Sequence, residues 1–249
     1  MLGLRLVHIS DTHGKHEGLT IPECDVLVFT GDMGSRRSDL QEMTKFLIWF
    51  EKQPAKTRVM IAGNHDVFLD RQWVEHQKNV GSIEYTFARG FHVDAKVLVE
   101  SYNVHYLLDS EYVYNGVKFY GTPYSPSFHR PHWAFNADRG QEMKAKLGKV
   151  PSDVDILLTH GPIFDVLDRV STKYRNDWHI DGHVGCQDLQ NVITQRLMNL
   201  KLHCSGHIHE NYGIQLVKFG STRQVLCSNA AVVDNGHNLL ITKPLIIDI

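Results

Sequence analysis

"VMIAGNHDVF" occupies residues 59–68: an apolar or small run as far as Ala62, then Gly63, Asn64, His65 and Asp66 in succession. A short apolar run that halts at a glycine reads as a strand buried on both faces. Its ending does not fit a plain core strand. An amide, an imidazole and a carboxylate at a buried tip are costly to desolvate unless something binds them. Five other runs are built alike. "LRLVHIS" (4–10) leads into Asp11-Thr12-His13-Gly14, and "DVLVFT" (25–30) into Gly31-Asp32. "VDILLT" (154–159) leads into His160-Gly161-Pro162, "LKLHCS" (200–205) into Gly206-His207-Ile208-His209, and "QVLCS" (224–228) into Asn229. In open α/β sheets the C-terminal strand ends are where ligands bind.

Between these runs the pattern is helical. Ser38 and Gln41 form a capping-box pair ahead of Leu40, Met43, Phe46, Leu47 and Phe50, and Pro54 ends the run. A second amphipathic stretch starts near Gln187 and carries Leu189, Val192, Ile193, Leu197 and Leu200; a third covers about 137–147. Segment 83–123 reads as antiparallel strands, including "YTFA", "AKVLVE" and "VHYLLDS", with a hairpin turning at Asn115-Gly116. Two packed sheets with helices outside would bury all of this, and no linker or repeat divides the chain, so residues 1–249 read as one domain.

Composition narrows the class. With 249 residues, 42% of them apolar and 22% charged, the chain is that of a globular protein with a substantial core. A formal charge of −2 argues against long nucleic acid as the main partner. No stretch approaches the roughly 20 apolar residues of a membrane span, and "MLGLRLVHISDTHG" reads as the first strand rather than a secretory leader, so export is not expected. Cys24, Cys186, Cys204 and Cys227 are far apart and read as buried thiols in a reducing compartment, so the expected location is cytoplasmic.

Residues two apart on an extended chain point the same way. Asp11 and His13 can therefore aim at one point, and His207 and His209 repeat that spacing. With Asp32, Asn64 and His160 they make seven donors, too many for one ion and suited to two, with Asp32 the candidate bridge. Mixed carboxylate and imidazole donors favour Mn, Fe, Zn, Co or Ni over Ca. The chain has 16 histidines, and His8, His16, His76, His92, His179 and His183 read as ordinary surface or core residues.

These motifs resemble those of the calcineurin-like metallophosphoesterase superfamily: D-x-H at Asp11–His13, G-D at Gly31–Asp32, G-N-H-D at Gly63–Asp66, then His160, then G-H-x-H at Gly206–His209. "GTPYSP" (121–126), "WAFNADRG" (133–140), "LLTHGP" (157–162), "SGHIHENYG" (205–213) and the C-terminal stretch are closest to small metallophosphoesterase-domain proteins and class III cyclic-nucleotide phosphodiesterases. The resemblance implies a four-layer α/β/β/α sandwich of two mixed sheets. It also implies Asp11, His13 and His209 on one ion, Asn64, His160 and His207 on the other, Asp32 between them, and His65 facing the substrate. Protein phosphatases of the superfamily continue the second motif as G-D-x-V-D-R-G. Here Gly31–Arg37 lacks the second Asp, which leaves the orienting partner of His65 unassigned.

The chemistry expected is metal-dependent hydrolysis of a small phosphodiester such as a cyclic nucleotide, by a hydroxide bridging two ions, Mn above all. Asp32 and His65 are the catalytic candidates, His65 protonating the leaving oxygen. The aromatic segment 121–139, with Tyr124, Phe128, His129, Arg130, His132, Trp133, Phe135 and Arg139, offers faces for a base, or else covers the core. Arg36-Arg37 reads as a solvated lead-in to the helix. A phosphomonoesterase or protein phosphatase using the same centre is the alternative, with a non-catalytic interaction scaffold behind it.

Overall fold

The computed structural model describes residues 3–35, 40–81, 94–128, 133–171, 182–221, 223–238 and 240–249. Two mixed sheets stack face to face. The first has the order β13 (Leu245–Asp248), β1 (Arg5–Ile9), β2 (Cys24–Phe29), β3 (Ala55–Met60), β4 (His105–Tyr106), parallel throughout except for β13. The second runs β11 (Gly213–Phe219), β12 (Arg223–Asn229), β10 (Leu202–Ser205), β9 (Ile156–Thr159), β6 (Val117–Thr122), β5 (Ser110–Tyr114), with antiparallel strands at both edges. A short parallel pair, β7 (Ser125–Pro126) and β8 (Asn136–Ala137), stands apart.

Alternation along each strand builds three cores. Leu6, Val26, Val28 and Val59 meet Phe119, Ile156, Leu158 and Leu202 between the sheets. The opposite side chains of the first sheet, Val7, Leu27, Phe29 and Met60, pack with Phe46, Leu47 and Phe50 of helix Leu40–Glu51. Those of the second, Leu157 and Cys227, pack with Met143 and Leu147 of helix Gln141–Leu147 and with Leu189 and Ile193 of helix Gln187–Gln195. This is the helix–sheet–sheet–helix sandwich expected. Fully buried side chains such as Phe29, Phe46 and Phe50 each add roughly 1.5–3 kcal/mol of burial free energy.

Several local expectations change. "AKVLVE" is a helix, Ala95–Glu100, because Asp94 caps it by accepting from the N–H groups of Lys96 (2.8 Å) and Val97 (3.3 Å), which outweighs its β-branched residues. "VHYLLDS" supplies only the two residues of β4 and the first residue of β5. The third helix starts at Gln141, since Asn136–Ala137 pairs with β7. The second stops at Gln195, leaving Leu197 and Leu200 buried from a loop, and Leu40 is exposed. The hairpin stands: Asn115 and Gly116 both have positive φ, as its two-residue turn requires. Ser38, Arg36-Arg37 and "YTFA" (85–88) lie outside the described residues, as do His129, Arg130 and His132. All four cysteines are unpaired and buried. Among the described residues no helix is long and apolar enough to cross a membrane.

The arrangement brings the strand tips together. Ile9, Phe29 and Met60 are level across the first sheet, and Leu158 and Cys204 across the second. Ser10 stitches the sheets, donating its N–H to Ala230 and accepting from that of Val232. His8 lies below, bonded through its two nitrogens to Ser228 and Thr30, a core histidine as expected. Burial takes it down to about 3, so it is neutral.

Candidate metal centre

All seven predicted donors converge at these tips. Asp11, His13, Asp32, Asn64, His160 and His209 are buried and His207 is partly so. Asp11, His13 and His209 form one group whose donor atoms lie within 4.8 Å of one another; Asp32, His160 and His207 form a second. Asn64 joins the second through its Oδ1, 2.9 Å from His160 Nε2. Asp32 Oδ2 stands between the groups, 3.3 Å from His160 Nε2 and 3.8 Å from His13 Nε2. His209 Nε2 is 3.3 Å from Asp11 Oδ1.

These separations suit shared cations. Donors about 2.1 Å from one ion, in tetrahedral or octahedral array, lie roughly 3.0–3.4 Å from each other. The imidazoles are also turned for it. His13, His160 and His209 each donate from Nδ1 to a backbone carbonyl, of Gly34 (3.1 Å), Thr30 (2.8 Å) and Asp234 (3.0 Å) respectively. That fixes the ring and leaves Nε2 facing the cluster, the arrangement that orients metal-binding histidines generally. His13 Nε2 is buried with no hydrogen-bond partner. The residues therefore fit a pair of ions.

The backbone is bent to reach this geometry. Asp11, His13, Asp32 and His207 all have positive φ, a conformation costing about 1–3 kcal/mol where a side chain must adopt it. Gly63 and Gly206 make room. A Cβ on Gly63 would lie 2.2 Å from Asp32 Oδ1, and one on Gly206 2.0 Å from Asp11 Oδ2. The strand quoted at the outset ends in glycine because a carboxylate occupies the space its side chain would need.

Asp66, given no role from sequence, ties the tips together. Its carboxylate accepts from the N–H groups of Asp32 (2.8 Å), Gly63 (2.8 Å) and Met33 (3.1 Å). Burial and then the Asp32 charge push its carboxyl up to about 7, against the pull of those three donors. His65 is held by packing. Its N–H donates to Asp32 Oδ1 (2.8 Å), while its ring meets the edge of His13 and lies 4.4 Å from Trp133. Its Nδ1 is buried without a hydrogen-bond partner. Phe128 and Trp133 stack at 6.3 Å, and Phe128 also lies 5.3 Å from His207, so an aromatic wall runs from His207 to His65. His237, also missed from sequence, stacks on His13 at 3.8 Å. Its only sequence signal is a Gly-His pair at 236–237, repeating the pattern at 206–207.

Opposed charges set the protonation. Burial disfavours an ionised Asp32, yet His160, His65 and His13 hold it well below the usual carboxylate range. Burial likewise opposes an imidazolium at His160, but Asp32 and Asp11 outweigh it and raise it to about 9. Without an ion, His160 thus carries a proton on Nε2, which faces both Asn64 Oδ1 and the Asp32 carboxylate. An ion must displace that proton. Adding Mn²⁺ at pH 7 is expected to release at least one proton per chain, read by calorimetry in buffers of different ionisation enthalpy; zero release would contradict a charged His160. Because His160 is raised above its unfolded value, its contribution to metal-free stability is full below pH 6.5 and lost as pH rises through about 9. The melting temperature of metal-free protein should therefore fall across that interval.

The sequence profile described as calcineurin-like phosphoesterase matches residues 4–211. Metallophosphoesterase domain-containing protein 1 of Homo sapiens is 34% identical over 253 residues, covering 98% of this chain and 71% of the relative. A UPF0046 protein of Caenorhabditis elegans is 33% identical, covering 99% and 81%. The solved structure of TT1561 of Thermus thermophilus matches with a TM-score of 0.55 at 12% identity over 98% of each chain, a likeness of fold alone.

Proposed function

We propose, from the premise that the chain belongs to the calcineurin-like phosphoesterase family, that it hydrolyses small phosphodiesters, nucleotide diesters such as cyclic nucleotides included. Asp11, His13 and His209 would hold one ion, Asn64, His160 and His207 the other, with Asp32 bridging and Mn the first candidate for both. When bound, such ions polarise the phosphoryl oxygens and make a water nucleophilic at neutral pH. The observation that carries the reading is one carboxylate, Asp32, placed between two donor groups at the meeting of two sheets.

The protein's own side chains would do the rest. Asp66 and the three N–H groups it accepts fix the level of Asp32 and Asn64. His65 would give the proton of its ring N–H to the departing oxygen. The acid form is the imidazolium; burial holds this ring below its usual range, so His65 would take up that proton only beside the negative charge of a bound phosphate. Phe128 and Trp133 offer faces on which a base can stack and exclude water from one side of the cluster. We further read the chain as one domain working in the cytoplasm, with its four thiols kept reduced.

A panel of bis-p-nitrophenyl phosphate, p-nitrophenyl phosphate, cyclic AMP and a phosphopeptide, assayed with Mn, Ni and Co, tests the assignment. Turnover should favour the diesters; a preference for either monoester would overturn the diesterase reading. His65→Ala should retain two ions per chain and slow cyclic AMP hydrolysis by about 10²–10⁴-fold, the usual share of general acid catalysis. The aryl diester, whose leaving group needs little protonation, should lose far less. Equal losses on both would remove His65 from the acid role.

A further inference from the structure

His237 sits in the loop between β12 and β13, at a turn closed by its own N–H donating to the Asp234 carbonyl at 2.9 Å. Its φ is +56°, and it is half-buried. The ring lies flat on His13, with centroids 3.8 Å apart and planes within 6°. It is 5.3 Å from His65 at 75° and 5.1 Å from His209. A ring nitrogen from each of His13, His65 and His237 falls within 4.8 Å of the other two.

The stacking rules out one role and suggests another. An imidazole lone pair lies in the plane of its ring, and a metal ion sits about 2.1 Å along it. Two rings in nearly parallel planes 3.8 Å apart send their lone pairs into separate layers. One ion cannot lie in both. His237 therefore does not share the ion assigned to His13; it lies in the next layer, with His65 standing edge-on to both rings. A phosphoryl group held at the centre would meet His65 and His237 as neighbouring imidazoles beside His13.

We propose that His237 is a substrate-contacting residue whose ring N–H donates to a phosphoryl oxygen, forming with His65 a two-imidazole clamp. The assignment rests on the phosphoesterase reading for its ligand and on the stacking geometry for its placement. The seven ion-facing donors come from strand tips; His237 comes from a loop that folds back from β12, where Val233 bridges Leu240. That loop places the His237 ring flat on that of His13.

The test uses His237→Phe, which keeps an aromatic plane on His13 and removes both ring nitrogens, the N–H donor among them, with His237→Ala as a second variant lacking the ring. Full-length protein loaded with Mn²⁺ is analysed for metal content and titrated calorimetrically with inorganic phosphate. His237→Phe should keep two ions per chain and bind phosphate about tenfold more weakly, the loss expected for a hydrogen bond to a charged group. KM for bis-p-nitrophenyl phosphate should rise by a similar factor. Unchanged phosphate affinity at full metal content would overturn the proposal. So would loss of an ion in His237→Phe, or a wild-type protein that takes up Mn²⁺ and binds no phosphate. If wild-type protein binds phosphate yet hydrolyses no ester, the phosphoesterase reading fails separately, and His237 is still judged on the binding ratio.

Discussion

Replacing Asp32 by Asn is expected to empty both donor groups at once. Asp32 Oδ2 is the anionic oxygen shared between His13 on one side and His160 on the other, at 3.8 and 3.3 Å. An amide in its place leaves one neutral oxygen, and Oδ1 already accepts the N–H of His65. Metal analysis should show little or no bound ion, and kcat/KM should fall about 10³-fold or more, equivalent to roughly 4 kcal/mol of barrier. Asp32→Ala should add a loss of stability, because the buried His65 N–H then has no acceptor, a cost of about 1–3 kcal/mol. The ordering of the pair is informative. Both variants should lose metal, and the Ala variant should unfold at the lower temperature. An Asp32→Asn protein with two bound ions and normal turnover would end the bridging assignment.

Gly63→Ala is the second large effect, and it adds only one methyl group. That methyl would fall 2.2 Å from Asp32 Oδ1, 2.6 Å from His160 Cε1 and 2.7 Å from the Asp32 backbone nitrogen. A flexible side chain could step aside, but these atoms cannot. Asp32 is held by Asp66 and by His65, and His160 by the Thr30 carbonyl. Overpacking of this kind costs about 1–3 kcal/mol, and a chain of this size loses about 2–4 °C of melting temperature per kcal/mol. The displaced carboxylate should also lower metal occupancy. A Gly63→Ala protein that melts as wild type and holds two ions would show that the tip has more room than the close approach allows.

Whether a residue is readable from sequence depends on where its information lies. Asp11 and His13, or His207 and His209, announce themselves because two-residue spacing on an extended chain is a local property, and glycine beside a polar tip is local too. The pattern of apolar runs likewise fixed the main strands of both sheets and the helix Leu40–Glu51, since burial on one or two faces is written into composition. The misread pieces are those where a neighbour decided. Ala95–Glu100 has strand-like residues, yet a capping carboxylate one position upstream makes it a helix. Leu197 and Leu200 fit a helical stripe but are buried from a loop after the helix has ended.

Asp66 and His237 lay beyond local reading for a different reason. The value of Asp66 lies in three N–H groups drawn from two strand tips, and that of His237 in a ring distant from it in the chain, His13. By itself the sequence picked out seven side chains that the fold brings together, their strand-end positions and the layered α/β class. Only the tertiary structure decided that Asp32 stands between the two donor groups, that His65 is steered by packing against His13 and Trp133, and that a further imidazole, His237, caps the site. Strand periodicity sets which way a side chain points along its own strand. The distance between tips of two different sheets depends on how their shared core packs, and no spacing along the chain encodes it.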